Sequence, residues 1–274
     1  MKLISRIIDL LLYTSLFTAC CATALCMATE RFINDSTPVL ASVLHLALFG
    51  GTLVVYNAPR LFFRKLSGPQ PLRNWYWLFF IAGALLVLGS VSWLPSRIIW
   101  FCLALAVLTF SYSLPFLPFK NKKRLREYGW LKILVLTGVW TAATALLPML
   151  YWNKSITAFP FELINRFVFI FALCVLFDIR DISADMRNNI ETLPLRLGLK
   201  KSYLAISIAL GIFATLSVAQ YVRHPVPERL VAAWVTAVIT WLVVIYLRKK
   251  PTEIGYMGLA DGVMLLYAVL ILID

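Results

Sequence analysis

The stretch DIRDISAD at residues 178–185, followed by TLP at 192–194, decides how the chain folds and what it binds. Its aspartates, Asp178, Asp181 and Asp185, are spaced i, i+3 and i+7, so a helix would place them within about 60° of one another on one face. An apolar run over residues 167–177 leads directly into them. Carboxylates in this position mark the end of a membrane helix and usually have a function. Because like charges repel, the cluster needs a cation, which is either a divalent metal ion or nearby Arg and Lys side chains. The alternative is a solvated acidic loop.

The composition is that of an integral membrane protein. Of the 274 residues, 61% are hydrophobic, and apolar windows long enough to cross a bilayer recur along the chain. The formal net charge of +13 could indicate nucleic-acid binding. However, the basic residues lie between the apolar windows, where they orient the chain and attract anionic lipid. We therefore expect membrane lipid, and no nucleic acid, as a partner.

Windows of about 20 apolar residues predict an all-α polytopic bundle of about nine transmembrane helices. The predicted spans are 7–28, 38–57, 75–94, 97–114, 131–151, 161–178, 203–222, 229–247 and 255–273. Most of the 26 basic residues lie at the N-terminus and in the loops after the even-numbered spans. This asymmetry predicts a cytoplasmic N-terminus and an aspartate cluster that faces the cytoplasm. We expect residues 1–274 to form a single domain in the bacterial inner membrane.

Two other predicted cytoplasmic loops carry polar groups that could face the aspartates. One has the sequence YNAPRLFFRK over residues 56–65, and the other has YSLP over 112–115, followed by a basic run that begins at Lys120. Topology and lipid contact explain most of these cations. A few of them, beside a carboxylate cluster, could bind a polyanion together with a metal ion.

Two other features predict packing and not chemistry. His45 lies in the middle of a span and is expected to be a buried, hydrogen-bonded residue and not a ligand. The glycines Gly50, Gly51 and Gly211 are expected to allow close helix packing.

Together these features resemble the UbiA superfamily of intramembrane prenyltransferases. The resemblance covers nearly the whole chain, and its most specific part is D-x-x-D-x-x-x-D followed by T-L-P-x-x-x-G, which ends at Gly198. It implies a helical bundle with a polar cytoplasmic cavity and a hydrophobic tunnel. In such a bundle an isoprenyl diphosphate binds through Mg²⁺, and its prenyl group is transferred to a hydrophobic acceptor that is aromatic or lipid-like. Metal and Arg or Lys contacts to the leaving diphosphate would supply the catalysis.

The resemblance also implies roles for individual residues. Asp178, Asp181 and Asp185 would hold Mg²⁺, with Asp181 counted among the catalytic groups. Lys120 would contact the diphosphate, and Tyr112 would line the cavity as a further catalytic group.

The first family motif, N-D-x-x-D-x-x-x-D, is degenerate in this chain. Asn57 matches its asparagine, whereas the acidic positions hold Ala58, Leu61 and Lys65. Arginines lie nearby, and guanidinium groups bind phosphate in a bidentate manner. The resemblance therefore implies that Asn57, Arg60 and Arg64 bind the substrate, with Arg60 also catalytic.

Three functions remain open from the sequence. The first is a divergent transferase in which one Mg²⁺ and Arg60 bind the diphosphate. The second is a catalytically inactive binding or accessory protein in which Arg60 neutralises the aspartates through a salt bridge. The third is a transporter of lipids or isoprenoids.

Overall fold

The computed structural model describes residues 2–36, 38, 40–62, 72–113, 129–187 and 189–273. Within these ranges the regular structure is helical, and no strand occurs. The helices are α1 Lys2–Tyr13, α2 Leu16–Asn34, α3 Val43–Phe62, α4 Arg73–Val91, α5 Ser96–Ser113, α6 Gly129–Thr141, α7 Leu147–Tyr151, α8 Pro160–Arg187, α9 Leu193–Arg223, α10 Pro227–Lys249, α11 Glu253–Gly255 and α12 Asp261–Leu272. Two π-helical turns, Ala142–Leu146 and Tyr256–Ala260, join α6 to α7 and α11 to α12.

Six helical segments in the described ranges are long and apolar enough to cross a membrane. They are Leu16–Asn34, Arg73–Val91, Gly129–Tyr151, Leu193–Arg223, Pro227–Lys249 and Glu253–Leu272. The predicted class, an all-α integral membrane bundle, is confirmed.

The first predicted span, 7–28, is wrong in its boundaries because the helix breaks at Thr14 and Ser15. Ser15 adopts a left-handed backbone conformation with φ 60°, which an α-helix cannot contain. The chain therefore forms the separate helices α1 and α2. The sequence signals this break only weakly, since Thr and Ser also occur inside membrane helices.

Helix α8 carries the aspartates and contributes many buried residues to the hydrophobic core. It packs against α6 and α9, and its Phe169 ring stacks on Phe213 of α9 at a centroid distance of 4.9 Å. The helix continues well past residue 178, where the sixth span was predicted to end, and reaches Arg187. Consequently all three aspartates lie on one continuous helix.

Close helix packing occurs at one of the three glycines predicted to allow it. The backbones of α3 and α4 meet at Gly50 and Gly83, where an added Cβ on Gly50 would lie 2.6 Å from the Gly83 carbonyl oxygen. An added Cβ on Gly51 or Gly211 would meet no described atom within 4 Å. The prediction is thus confirmed for Gly50 and wrong for the other two.

Candidate functional site

A cavity of about 380 Å³ lies among α3, α5, α6, α8 and α12, beside the α1–α2 break. Its described charged lining residues are Arg60, Lys132, Arg180, Asp178, Asp181 and Asp261. Three cations therefore face three carboxylates, so the described lining has no excess positive charge with which to bind a polyanion.

Lys132 of α6 bridges two of the three aspartates. Its Nζ lies 2.8 Å from Oδ1 of Asp178 and 2.8 Å from Oδ2 of Asp185. All three residues are buried. The other carboxylate oxygen of Asp178, Oδ2, is also buried and has no hydrogen-bond partner among the described residues. Since a buried oxygen without a partner is costly, Asp178 retains a place for one further cation or donor.

Asp181 has a different partner and a different environment. The Arg180 guanidinium donates from Nε to Oδ1 at 2.7 Å and from Nη2 to Oδ2 at 3.0 Å. Both side chains are about a third exposed, and both line the cavity. This ion pair can open at low cost, because exposed pairs contribute about 0–1 kcal/mol.

Asn57 and Arg60 bind backbone carbonyls at the α1–α2 break. The Asn57 amide donates to the Thr14 carbonyl at 2.9 Å, and Nη1 of Arg60 donates to the Tyr13 carbonyl. These carbonyls lose their helical partners at the break, so the two side chains replace hydrogen bonds that the helix would have made. Arg60 lines the cavity, whereas Asn57 is fully buried and is absent from its described lining.

The other predicted site residues divide between the cavity and undescribed segments. Tyr112 of α5 lines the cavity. Arg64 and Lys120 lie outside the described residues. The described partner of Asp178 and Asp185 is Lys132 and not Arg60, which the accessory-protein hypothesis had assigned to them.

A second, apolar cavity of about 130 Å³ adjoins the first. The two share lining residues, among them Tyr56 and Trp140. The Trp140 indole Nε1 donates to the Tyr56 hydroxyl at 3.1 Å, which satisfies both polar groups at the boundary. The first cavity, which we call the charged chamber, therefore leads to a second cavity suited to an apolar chain.

Two glycines with positive φ, Gly129 and Gly198, lie at the start of α6 and inside α9. Gly129, with φ 30°, begins α6, and a Cβ there would lie 2.2 Å from the Glu191 carbonyl oxygen. This contact holds the start of α6 against the α8–α9 loop and places Lys132 one turn later. Gly198 has φ 79° and breaks the helical path inside α9, which explains the glycine of the T-L-P-x-x-x-G motif in terms of backbone conformation.

In this structure the carboxylate oxygens of Asp178, Asp181 and Asp185 do not lie within 4.8 Å of one another as a group of three. In the described part of the chain, the group of three potential ligands whose donor atoms lie within 4.8 Å of one another is Cys26, Glu30 and His45. His45 is buried, and its Nε2 lies 2.8 Å from Oε2 of Glu30, which confirms the predicted buried, hydrogen-bonded histidine. At the aspartate face, Lys132 bonds Asp178 and Asp185, and Arg180 bonds Asp181. The Asp178 oxygen Oδ2, which has no described partner, leaves room for one further cation.

Sequence reasoning missed Lys132 and Arg180 as site residues. Both belong to the basic residues that the charge asymmetry assigns to the cytoplasmic side. The available signal was the position of Lys132 just inside an apolar span, since a charged residue there usually has an internal partner.

Solved structures with the same fold are UbiA homologues. A UbiA homologue from Archaeoglobus fulgidus bound to GPP and Mg²⁺ matches with a TM-score of 0.66 and 14% identity, over 97% of this chain and 100% of that chain. A digeranylgeranylglyceryl phosphate synthase matches with a TM-score of 0.60 and 13% identity, over 98% and 100%. An apo UbiA homologue from Aeropyrum pernix K1 gives 0.57 and 16%, over 92% and 94%. No protein-family model and no curated protein sequence matches the chain. At these identities the likeness establishes the fold.

Proposed function

This chain has the fold of the UbiA homologues, and we propose that it is an intramembrane prenyltransferase that uses an isoprenyl diphosphate. The observation that carries the proposal is the pair of adjoining cavities, one charged and one apolar, which share the Tyr56–Trp140 boundary. A prenyl diphosphate has the same two parts, a polyanionic head and an apolar chain. The proposed acceptor is a hydrophobic molecule, aromatic or lipid-like.

In the proposed reaction, the bond between C1 of the prenyl chain and the diphosphate oxygen breaks, and the diphosphate leaves with the electron pair. A nucleophilic atom of the acceptor bonds to C1 and then loses a proton. Stabilising the charge on the leaving diphosphate is the main catalytic requirement. Arg60 and Arg180 line the chamber and would donate to diphosphate oxygens, with Arg180 exchanging Asp181 for phosphate. Tyr112 would position the substrate.

The balanced charges of the chamber favour a metal ion that enters with the substrate. Asp178, through its unpartnered Oδ2, and Asp181 would hold one Mg²⁺. When bound, such an ion supplies positive charge to the diphosphate oxygens. Arg64 and Lys120 remain predicted contacts to the same head group.

We further propose a single domain with nine membrane crossings, a cytoplasmic N-terminus and the charged chamber on the cytoplasmic side. With α6–α7 and α11–α12 each counted as one helical segment, nine segments follow α1 in the described ranges. This number supports nine crossings, and six of these segments are long and apolar enough to cross a membrane. The surplus of basic residues on one predicted side supports this orientation.

The test is prenyl transfer by purified protein in lipid nanodiscs. Prenyl diphosphates of several chain lengths would be supplied with hydrophobic acceptors, with and without Mg²⁺, and release of diphosphate would be measured. We expect release that depends on Mg²⁺ and on acceptor, and we expect Asp181→Ala to abolish it. Full turnover by Asp181→Ala would refute the proposed site.

Arg60→Ala and Asn57→Ala form a matched pair for the arginine. Each variant loses a carbonyl contact at the α1–α2 break, but of these two residues only Arg60 is among the described lining residues of the chamber. We expect prenyl diphosphate binding to fall in Arg60→Ala and to persist in Asn57→Ala. Equal loss in both would mean that the break, and not a contact to substrate, controls binding.

A second candidate is a binding or accessory protein without transferase activity. Lys132 already neutralises two of the aspartates, and the first motif lacks its carboxylates, so the fold could retain the ligand without the chemistry. Binding of prenyl diphosphate without release of diphosphate, for every acceptor class tried, would favour this candidate.

A further inference from the structure

A buried ammonium group occupies the point where two carboxylates of the aspartate face converge. Lys132 Nζ lies 2.8 Å from one oxygen of Asp178 and 2.8 Å from one oxygen of Asp185. These aspartates are two helical turns apart on α8, so the single lysine joins two turns of one helix. The relative exposures of Lys132, Asp178 and Asp185 are 8%, 3% and 6%.

A divalent cation cannot share this position with the ammonium group. Mg²⁺ binds carboxylate oxygens at about 2.0–2.1 Å, and an ion that bridged the same two oxygens would take the place of Nζ. Displacing Lys132 would leave its charge without these partners in a buried setting, which is strongly unfavourable. The lysine and a metal ion bridging Asp178 and Asp185 are therefore mutually exclusive.

The start of α6 is fixed in a way that keeps the lysine in place. Gly129 packs directly on the Glu191 carbonyl in the loop that follows α8. Lys132 therefore lies on a helix whose start contacts the segment next to the helix of Asp178 and Asp185. Asp181, the middle aspartate, is paired with Arg180. The chain thus supplies its own cations to each of the three aspartates.

We propose that the Lys132 ammonium group takes the place of a divalent cation between Asp178 and Asp185, so that removing the lysine creates a metal site. This inference concerns the site of the proposed function, but its test does not depend on transferase activity. Metal stoichiometry and thermal stability are measured without substrate, so the two proposals can fail separately.

The test uses Lys132→Met in the full chain, purified in detergent and stripped of metal. Methionine keeps much of the apolar stem but leaves two buried carboxylates without their counter-charge. We expect its melting temperature to fall by several degrees in EDTA and to recover in Mg²⁺, whereas the wild type changes less. Electron paramagnetic resonance titration with Mn²⁺ should give one more bound ion per chain than the wild type.

Two further variants keep the test decisive. Lys132→Arg retains the positive charge and should gain no ion, and the double variant Lys132→Met/Asp185→Asn removes one of the two carboxylates and should lose the additional ion. If Lys132→Met does not fold without metal, recovery of folded protein by adding Mn²⁺ during purification, but not by EDTA-treated buffer, supports the proposal. Two outcomes would overturn it. One is an unchanged Mn²⁺ stoichiometry in folded Lys132→Met, and the other is failure of Mn²⁺ to restore the folding of Lys132→Met although the double variant folds. Absence of transferase activity in the wild type would leave this result intact and count only against the proposed function.

Discussion

The two ends of α8 both bury charged groups, but they do so in different ways. Near the start of the helix, Glu162 and Arg166 form an ion pair at 2.8 Å. Asp178 and its neighbours lie about 24 Å further along the helix axis, at 1.5 Å per residue. We call these regions the Glu162 end and the aspartate end. Both contain charges that are expensive to place in a membrane bundle.

The carboxylate at the Glu162 end has all of its oxygens bonded. Oε1 accepts from Arg166 at 2.8 Å and lies 3.2 Å from the Thr29 hydroxyl, and Oε2 accepts from Gln220 at 2.9 Å. At the aspartate end, Oδ2 of Asp178 has no described partner, and the cavity of about 380 Å³ lies alongside. A carboxylate whose oxygens are all bonded needs no further partner, whereas the unpartnered oxygen of Asp178 can accept one from the cavity. This difference supports the proposal that the aspartate end binds the ligand and that the Glu162 end serves packing.

The largest expected effect on stability is at the Glu162 end. Arg166→Met would leave Glu162 buried without its counter-charge, and breaking a buried pair in this way costs about 3–5 kcal/mol. We expect a large fall in the unfolding free energy measured by denaturant titration in detergent, with prenyl diphosphate binding retained per folded molecule. The double variant Glu162→Gln/Arg166→Met should lose less, because no lone charge remains. Loss of ligand binding by protein that is still folded would contradict the division between the two ends.

The sequence predicted the fold well because hydrophobic windows and charge asymmetry are local signals. The aspartate face also followed from local spacing, since i, i+3 and i+7 lie on one side of any helix. The break at Ser15 could not be predicted, because it is stabilised by Asn57 and Arg60 from another helix.

The partners of the aspartates could likewise not be predicted from the sequence. Lys132 is separated from Asp178 by most of two helices and a loop, and only packing brings them together. At the edge of an apolar span, a lysine that faces the bundle and one that faces lipid head groups have the same sequence signature. The accessory-protein hypothesis paired them with Arg60, which lies in the degenerate motif.

At the aspartate end, Gly129→Ala should have the next largest effect. Its Cβ would lie 2.2 Å from the Glu191 carbonyl oxygen, so α6 would have to shift, and overpacking of this kind costs about 1–3 kcal/mol. The matched control is Gly138→Ala on the same helix, where a Cβ meets no described atom within 4 Å. We expect a lower melting temperature and weaker ligand binding in the first variant only. Equal melting temperatures would show that the α6 contact does not hold the site.

A smaller effect is expected from Thr29→Val at the Glu162 end. The Thr29 hydroxyl donates to the Thr144 carbonyl at 2.9 Å, accepts from Arg166 at 3.0 Å and lies 3.2 Å from Oε1 of Glu162. Losing one such bond costs about 1 kcal/mol. Thr23→Val is the control, because the Thr23 hydroxyl donates to the Ala19 carbonyl of its own helix. Unfolding in detergent should separate the two variants, while ligand binding should be unchanged in both. Weaker binding in Thr29→Val alone would extend the functional region to this end.

The smallest effect on stability should come from Asp181→Asn, which is also expected to have a large effect on function. Its pair with Arg180 is about a third exposed, so its loss should change the unfolding free energy by less than about 1 kcal/mol. Because Asp181 lines the chamber, losing its charge should weaken Mg²⁺-dependent prenyl diphosphate binding by about tenfold, equivalent to about 1.4 kcal/mol. Calorimetric titration at fixed Mg²⁺ measures this change.

Asp185→Asn is the control, because it removes the same charge from the same helix face. Asp185 is not among the described lining residues, so its effect on binding should be smaller and its effect on stability larger. If both variants weakened binding equally, the overall charge of the helix face, and not contact with the chamber, would control ligand binding. The contrast between a fully hydrogen-bonded carboxylate and one with an unpartnered oxygen would then have no functional meaning.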